Sequence, residues 1–117
     1  MITKIKNAVI ITDRLLRDEF LYMQDGIITA ITEDALPFER EIDADGWYLA
    51  PGFIDIHTHG AGGIDFSDGS KEDVLNAAAA HAAHGTTTVF PTATATSKAE
   101  ILRSIETVKQ AMMDNAP

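Results

Sequence analysis

The sequence predicts an α/β fold in two parts, with short β-strands over residues 1–50 and alternating strands and helices over residues 51–117. One observation behind this prediction is a change of hydrophobic pattern at Pro51, where short β-branched runs give way to helical periods. A second is that each helical segment after Pro51 follows a strand-like run and starts at a serine. Strands that alternate with helices in this way are typical of a parallel sheet.

The first part predicts a small antiparallel sheet. Phe20–Gln24 and Ile27–Thr32 flank Asp25-Gly26, a two-residue connection that favours a type I′ hairpin because glycine tolerates positive φ. The other strand-like runs of this part are 4–12 and 47–49.

The second part begins with a strand predicted over Phe53–His59. Ser70 is a suitable N-cap for the helix that follows, and Asp73 falls at its third position, where an acid favours the free amides and the helix dipole. Gly85 is suited to end this helix, because glycine adopts the left-handed conformation of a C′ residue.

A second strand–helix unit follows directly. Thr86–Thr92 predicts the strand, and Ser97 with Glu100 forms a capping box for a helix. One face of that helix is predicted to be apolar, through Ile101, Leu102, Ile105, Val108 and Met112. Two such units predict the start of a TIM-type (β/α)₈ barrel, which takes about 250 residues. We therefore expect these 117 residues to be the front portion of a larger enzyme.

Composition excludes several classes of protein. The formal net charge of −9 argues against binding to nucleic acid or to an anionic membrane surface, both of which require basic residues. The chain has no cysteine, so disulfides and thiolate metal sites are excluded. Its amino terminus lacks a signal-peptide pattern, and no apolar run reaches the roughly 18 residues of a membrane span. The expected location is the cytoplasm.

Polar side chains occupy every second position of the first strand after Pro51, in the order Asp55, His57 and His59. Side chains alternate across a strand, so these three share one side, while Ile54, Ile56 and Thr58 are expected to pack on helices. The Cα atoms of His57 and His59 should lie about 6–7 Å apart, which lets two imidazoles converge on one divalent ion. The carboxyl ends of barrel strands are where active sites form, so the pair predicts a metal site.

The surroundings of the histidine pair favour this interpretation over a structural pair. A bare His-x-His is weak evidence, but this one follows a Pro-Gly turn and precedes the small residues 60–63, which should leave a loop open to substrate. Asp55 lies deeper on the same side, where it could orient an imidazole by accepting its N–H or serve as a buried acid with another partner.

Other polar residues favour structural roles. His81 and His84, three positions apart in the last turn of the first helix, are expected to face one way, away from the site, in positions that the helix dipole favours. Asp65 and Asp68 are typical of turn chemistry before the Ser70 cap. The chain has no phosphate-binding glycine loop and no serine-hydrolase motif.

Taken together, "APGFIDIHTHG", the preceding "DGIITAI" and "IDADGWYL", and the following "GTTTVFPT" resemble the metal-dependent amidohydrolases of the TIM-barrel superfamily. Within them, "HTHGAGGIDFSDGS" most resembles the N-acetylglucosamine-6-phosphate deacetylase family. The resemblance covers essentially the whole chain, but only the amino-terminal third or so of such an enzyme.

This resemblance implies a small β-sandwich, built from both chain ends, beside a barrel that holds one or two divalent metals among Zn, Fe, Ni, Co and Mn. Metal-activated water would remove the acetyl group from N-acetylglucosamine 6-phosphate, giving glucosamine 6-phosphate and acetate in amino-sugar catabolism. His57 and His59 would be metal ligands, and no catalytic residue of the family falls within the chain. The resemblance also implies a dimer, and the 117-residue chain alone is expected to be inactive.

Two alternatives remain open from the sequence. The chain could belong to another enzyme of the same superfamily, such as a cyclic amidase, a deaminase or a dipeptidase. It could also be a non-catalytic binding or assembly module.

Overall fold

The computed structural model describes residues 1–115, and the chain divides into two compact units, Met1–Pro51 and a second unit that begins at Gly52. Strands make up the first unit, whereas the second combines strands with two helices. Within residues 1–115, neither helix is both long enough and apolar enough to cross a bilayer.

The first unit contains seven short strands in two sheets. One sheet has the order β5-β4-β1-β6 and the other the order β3-β2-β7. The strands are β1 (Ile2–Lys6), β2 (Val9–Ile11), β3 (Leu15–Leu16), β4 (Phe20–Gln24), β5 (Ile27–Thr32), β6 (Arg40–Asp43) and β7 (Tyr48–Leu49).

The hairpin between β4 and β5 forms as predicted. Asp25 and Gly26 both have positive φ, 50° and 81°, as a type I′ turn requires. The predicted antiparallel pairing holds for β1 with β4, β4 with β5 and β2 with β3, but β1 pairs in parallel with β6, and β2 in parallel with β7. Turn dipeptides predict only the pairing of consecutive strands, whereas both parallel pairs join strands that are distant in sequence. Ala8, Ile10 and Leu21 form the buried core of the unit.

The second unit begins with strand β8 and returns to the same sheet after one helix. Its elements are β8 (Phe53–Thr58), β9 (Gly60–Ala61), β10 (Ile64–Asp65), α1 (Lys71–Ala82), β11 (Thr86–Pro91) and α2 (Lys98–Asp114). Strands β8 and β11 pair in parallel, with Val89 opposite Asp55 and Pro91 opposite Thr58. Because the strands are parallel, their carboxyl ends lie at the same edge.

A small apolar core lies beside this pair of strands. Phe66, Val74 and Ala77 pack with Ala111 of α2, and all four are at least 95% buried. Ala77 is fully buried, so the alanine-rich face of α1 gives α2 a close approach.

Both helices start at the predicted caps. Ser70 accepts a hydrogen bond from the amide of Asp73, and the Asp73 carboxylate accepts one from the amide of Ser70 at 2.9 Å. Ser97 and Glu100 make the same reciprocal pair at the start of α2. Each capping box satisfies amides that have no partner inside the helix.

The α2 cap predicts a pH dependence. The Ser97 hydroxyl, then the Thr96 hydroxyl and the Ser97 amide, donate to Glu100 and lower its pKa from 4.5 to about 2. A depressed folded-state pKa stabilises the fold fully above pH 4.5, and this stabilisation is lost as the pH falls towards 2. In thermal unfolding followed by circular dichroism, Glu100→Gln should therefore melt at a lower temperature than the unchanged chain. This difference in melting temperature should be largest above pH 4.5 and should disappear as the pH falls to about 2. Parallel pH profiles for the two proteins would contradict this assignment.

Residues 1–115 cover the predicted apolar face of α2 only in part: Ile101 and Val108 are half-buried, and Val108 packs against the core. Leu102, Ile105 and Met112 are 57%, 55% and 68% exposed, and Ser104 and Ala111 are the helix's buried residues. Ile54 and Ile56 of β8 are likewise 65% and 75% exposed, contrary to the expectation that they pack on helices. The hydrophobic periods predicted the helix and the strand correctly, but the described residues leave Leu102, Ile105, Met112, Ile54 and Ile56 exposed to solvent.

Candidate metal centre

The two histidines of the D-x-H-x-H pattern lie side by side at the carboxyl end of β8. The strand ends at Thr58, one residue earlier than predicted, and His59 follows it directly. The imidazole centroids of His57 and His59 are 5.5 Å apart, with 58° between the ring planes, and both residues are exposed. The alternation of the strand therefore brings the two rings together, as the sequence predicts.

This spacing fits a pair of ligands to one ion. Two imidazoles on one tetrahedral ion have ring centres about 5 Å apart, because each metal–nitrogen bond is about 2 Å long. The observed 5.5 Å is close to that value. Residues 1–115 contain no group of three or more His, Cys, Asp or Glu side chains placed to hold an ion. The pair therefore offers two donors, and the other ligands of a complete site would come from outside these residues.

Asp55 accepts a hydrogen bond from the backbone of its own strand. Its Oδ1 accepts a hydrogen bond from the amide of His57 at 3.1 Å, and the side chain is half-buried. The predicted orientation of a histidine ring by Asp55 remains a prediction.

The glycine-rich segment after His59 is a hairpin, whereas the sequence favoured an open loop. Strands β9 and β10 pair around Gly62 and Gly63, whose φ values of 63° and 82° match a two-residue turn with both central residues left-handed. The amide of Phe66 donates to the carbonyl of His59 at 2.8 Å and closes the hairpin on the ligand strand. Two adjacent glycines were the sequence signal that could have predicted this hairpin.

The segment after the hairpin is a turn, as predicted for Asp65 and Asp68. Asp65 Oδ1 accepts from the Ser67 amide at 2.7 Å, and this hydrogen bond is the main reason that the pKa of Asp65 lies below its ordinary value. The buried Ser67 Oγ accepts from the amide of Thr94 at 2.8 Å. Ser67 thereby joins the segment after β8 to the segment after β11, a contact that the sequence did not reveal.

His81 and His84 have different surroundings, although both were expected to face one way. His84 follows α1 and is exposed, and its Nδ1 lies 2.9 Å from the carbonyl oxygen of Ala80 in that helix. His81 is half-buried, and its Nε2 lies 3.3 Å from Thr58 Oγ1. His81 thus contacts Thr58, which strand alternation places on the side of β8 opposite His57 and His59, so the expectation that His81 lies away from the site stands as a prediction.

Comparison with known proteins gives the family of this arrangement. The model of the amidohydrolase family matches residues 48–116, more than half of the chain. The matched range includes β8, the histidine pair and both helices.

Individual relatives include enzymes with different names. D-hydantoinase of Ralstonia pickettii is 41% identical over 85 residues, which are 73% of this chain and 18% of the hydantoinase. N-acetylglucosamine-6-phosphate deacetylase of Caenorhabditis elegans is 31% identical over 96 residues, or 74% of this chain and 23% of that enzyme.

A solved structure matches nearly the whole chain. The crystal structure of N-acetylglucosamine-6-phosphate deacetylase from Pasteurella multocida superposes with a TM-score of 0.88 and 26% identity, over 97% of this chain and 31% of that protein. The chain thus spans 18%, 23% and 31% of the lengths of these three relatives. On the family match and the strand geometry together, the chain belongs to the amidohydrolase family.

Proposed function

We propose that the chain supplies the first metal-binding strand of a hydrolase that removes the acetyl group from N-acetylglucosamine 6-phosphate. The observation that carries this proposal is the pair of imidazoles 5.5 Å apart at the carboxyl end of β8, beside a parallel neighbour. Active sites of strand–helix barrels form at this end of the strands.

In the proposed site, His57 and His59 would hold a divalent ion through their ring nitrogens. When bound, such an ion would supply Lewis-acid chemistry, polarising an amide carbonyl and activating water. Asp55 fixes the amide of His57, and the amide of Phe66 fixes the carbonyl of His59. Strand β9 and the turn that follows it consist only of glycine and alanine, so this part of the hairpin has no large side chain. A substrate could therefore approach the ion from this side.

The acetylated sugar phosphate is favoured by the structural match, which covers 97% of the chain with a TM-score of 0.88 to a deacetylase. Residues 52–70 contain no Lys or Arg, so the groups that bind the phosphate would have to come from other parts of the protein. A cyclic amidase is the second candidate, favoured by the 41% identity to D-hydantoinase. Both reactions cleave an amide C–N bond, and two imidazoles do not distinguish an acyclic amide from a cyclic one.

The proposal is tested by an activity assay on the complete protein encoded by the reading frame that contains these residues. Metal-loaded protein should release acetate from N-acetylglucosamine 6-phosphate and leave hydantoin and dihydroorotate intact. Replacement of His57 and His59 by alanine should reduce the bound metal and the turnover together. Turnover of the cyclic amides alone would replace the deacetylase by the second candidate.

The 117-residue chain by itself should show no deacetylation. Residues 1–115 place no third His, Asp or Glu side chain with the histidine pair so that the three could hold an ion, so these residues form only part of a metal site. Metal-dependent release of acetate by the purified chain, retained after further purification, would contradict this prediction.

A further inference from the structure

His81 connects helix α1 to the strand that carries the candidate ligands. Its Nε2 lies 3.3 Å from Thr58 Oγ1, and its ring stacks on Phe66, with centroids 6.4 Å apart and 14° between the planes. Phe66 is almost completely buried, so it offers a fixed surface for the stack. The imidazole of His81 is therefore held from two sides.

The hydrogen bonds of Thr58 define what His81 contributes. A hydroxyl has one proton to donate and two lone pairs that accept. Thr58 Oγ1 donates to the Gly60 carbonyl at 3.2 Å and accepts from the Gly60 amide at 3.4 Å. All three contacts can be hydrogen bonds at once only if His81 donates from Nε2–H to the remaining lone pair.

These contacts involve the backbone on both sides of the exposed His59. Its two neighbours, Thr58 and Gly60, are joined through the Thr58 hydroxyl, which His81 contacts. The carbonyl of His59 accepts from the amide of Phe66, the residue on which His81 stacks. The backbone on both sides of His59 is thus linked to one imidazole on α1.

We propose that His81 is a positioning residue, which holds the backbone around His59 through Thr58 and Phe66 so that the two ligand imidazoles face one ion. The part of this inference that concerns metal rests on the proposed function. The effect on the backbone does not, because it is measurable in the metal-free chain. A donor at this position matters, whereas a ring that only stacks does not suffice.

Variants of the 117-residue chain separate donation from packing. His81→Phe keeps a ring on Phe66 and removes the donor, His81→Gln keeps a donor, and Thr58→Val removes the hydroxyl at nearly constant shape. His84→Phe is the matched control on the exposed histidine. The readouts are hydrogen exchange of the Phe66 amide, with the Val9 amide of the other unit as reference, and Ni²⁺ affinity by calorimetry.

His81→Phe and Thr58→Val should each accelerate exchange of the Phe66 amide about tenfold and weaken Ni²⁺ binding about tenfold, and their combination should add little. His81→Gln and His84→Phe should behave like the unchanged chain. The inference is overturned if His81→Phe leaves hydrogen exchange of the Phe66 amide unchanged. It is also overturned if His81→Gln accelerates that exchange and weakens Ni²⁺ binding as much as His81→Phe does. His81→Leu provides the same comparison if His81→Phe does not fold, because it removes the donor and leaves the Thr58 hydroxyl bonded to Gly60. If the unchanged chain does not bind Ni²⁺, joint binding of an ion by His57 and His59 alone is contradicted, and Phe66 exchange still decides whether His81 positions the backbone.

Discussion

Replacement of either His57 or His59 by alanine is expected to lower the Ni²⁺ affinity of the chain about 100-fold. Two ligands on one rigid strand bind an ion jointly, and loss of one converts a chelate into a single contact, which removes roughly 10² in affinity. The ring centroids 5.5 Å apart are the basis of this expectation. Both residues are exposed, so the free energy of unfolding should change by no more than about 0.5 kcal/mol.

Calorimetric titration with Ni²⁺ measures this effect, and urea unfolding measures stability on the same samples. His84→Ala is the matched control, because it removes an exposed imidazole from the same unit without touching the pair. Affinities that fall equally in all three variants would mean that the ion binds the histidines non-specifically. Independent contributions from His57 and His59 would also contradict a shared ion.

Replacement of Gly60 by alanine is expected to destabilise the second unit by about 3 kcal/mol. The φ of Gly60 is 152°, and a Cβ there would lie 1.8 Å from the carbonyl oxygen of Ile64. Backbone strain and overpacking each lower the free energy of unfolding by about 1–3 kcal/mol. The clashing atom belongs to the backbone, so a change of side-chain rotamer cannot relieve the contact. Opening of the hairpin would relieve the clash, but it would also release the backbone that follows His59, so Ni²⁺ affinity should fall as well.

Urea unfolding followed by the helical circular dichroism signal measures this loss, because both helices belong to the second unit. Gly63→Ala is the control. It has a positive φ of 82° and nothing within 4 Å of an added Cβ, so only conformational strain of about 1–2 kcal/mol is expected. If Gly60→Ala and Gly63→Ala lower the free energy of unfolding by the same amount, the contact with Ile64 does not contribute to the effect.

Short-range patterns predicted the elements that depend on neighbouring residues. The Asp25-Gly26 turn and the two capping boxes follow from local hydrogen bonds and allowed φ values, so they could be identified without a fold. The His57 and His59 pairing follows from strand alternation alone.

Long-range contacts could not be predicted in the same way. The parallel pairing of β1 with β6 joins strands that no local signal connects. The contact of His81 with Thr58 depends on where the tertiary fold places α1, which the periodicity of a helix does not specify. Ser67 meets Thr94 only because two segments that follow parallel strands emerge at one edge of the sheet.

Nitrogen-15 NMR of the histidine rings during addition of Zn²⁺ tests directly whether His57 and His59 share one ion. The ring-nitrogen signals of both residues should shift together and saturate at one equivalent of Zn²⁺, while those of His81 and His84 stay unchanged. Shifts of His57 and His59 at different Zn²⁺ concentrations, or of one ring alone, would contradict a joint metal site at the end of β8.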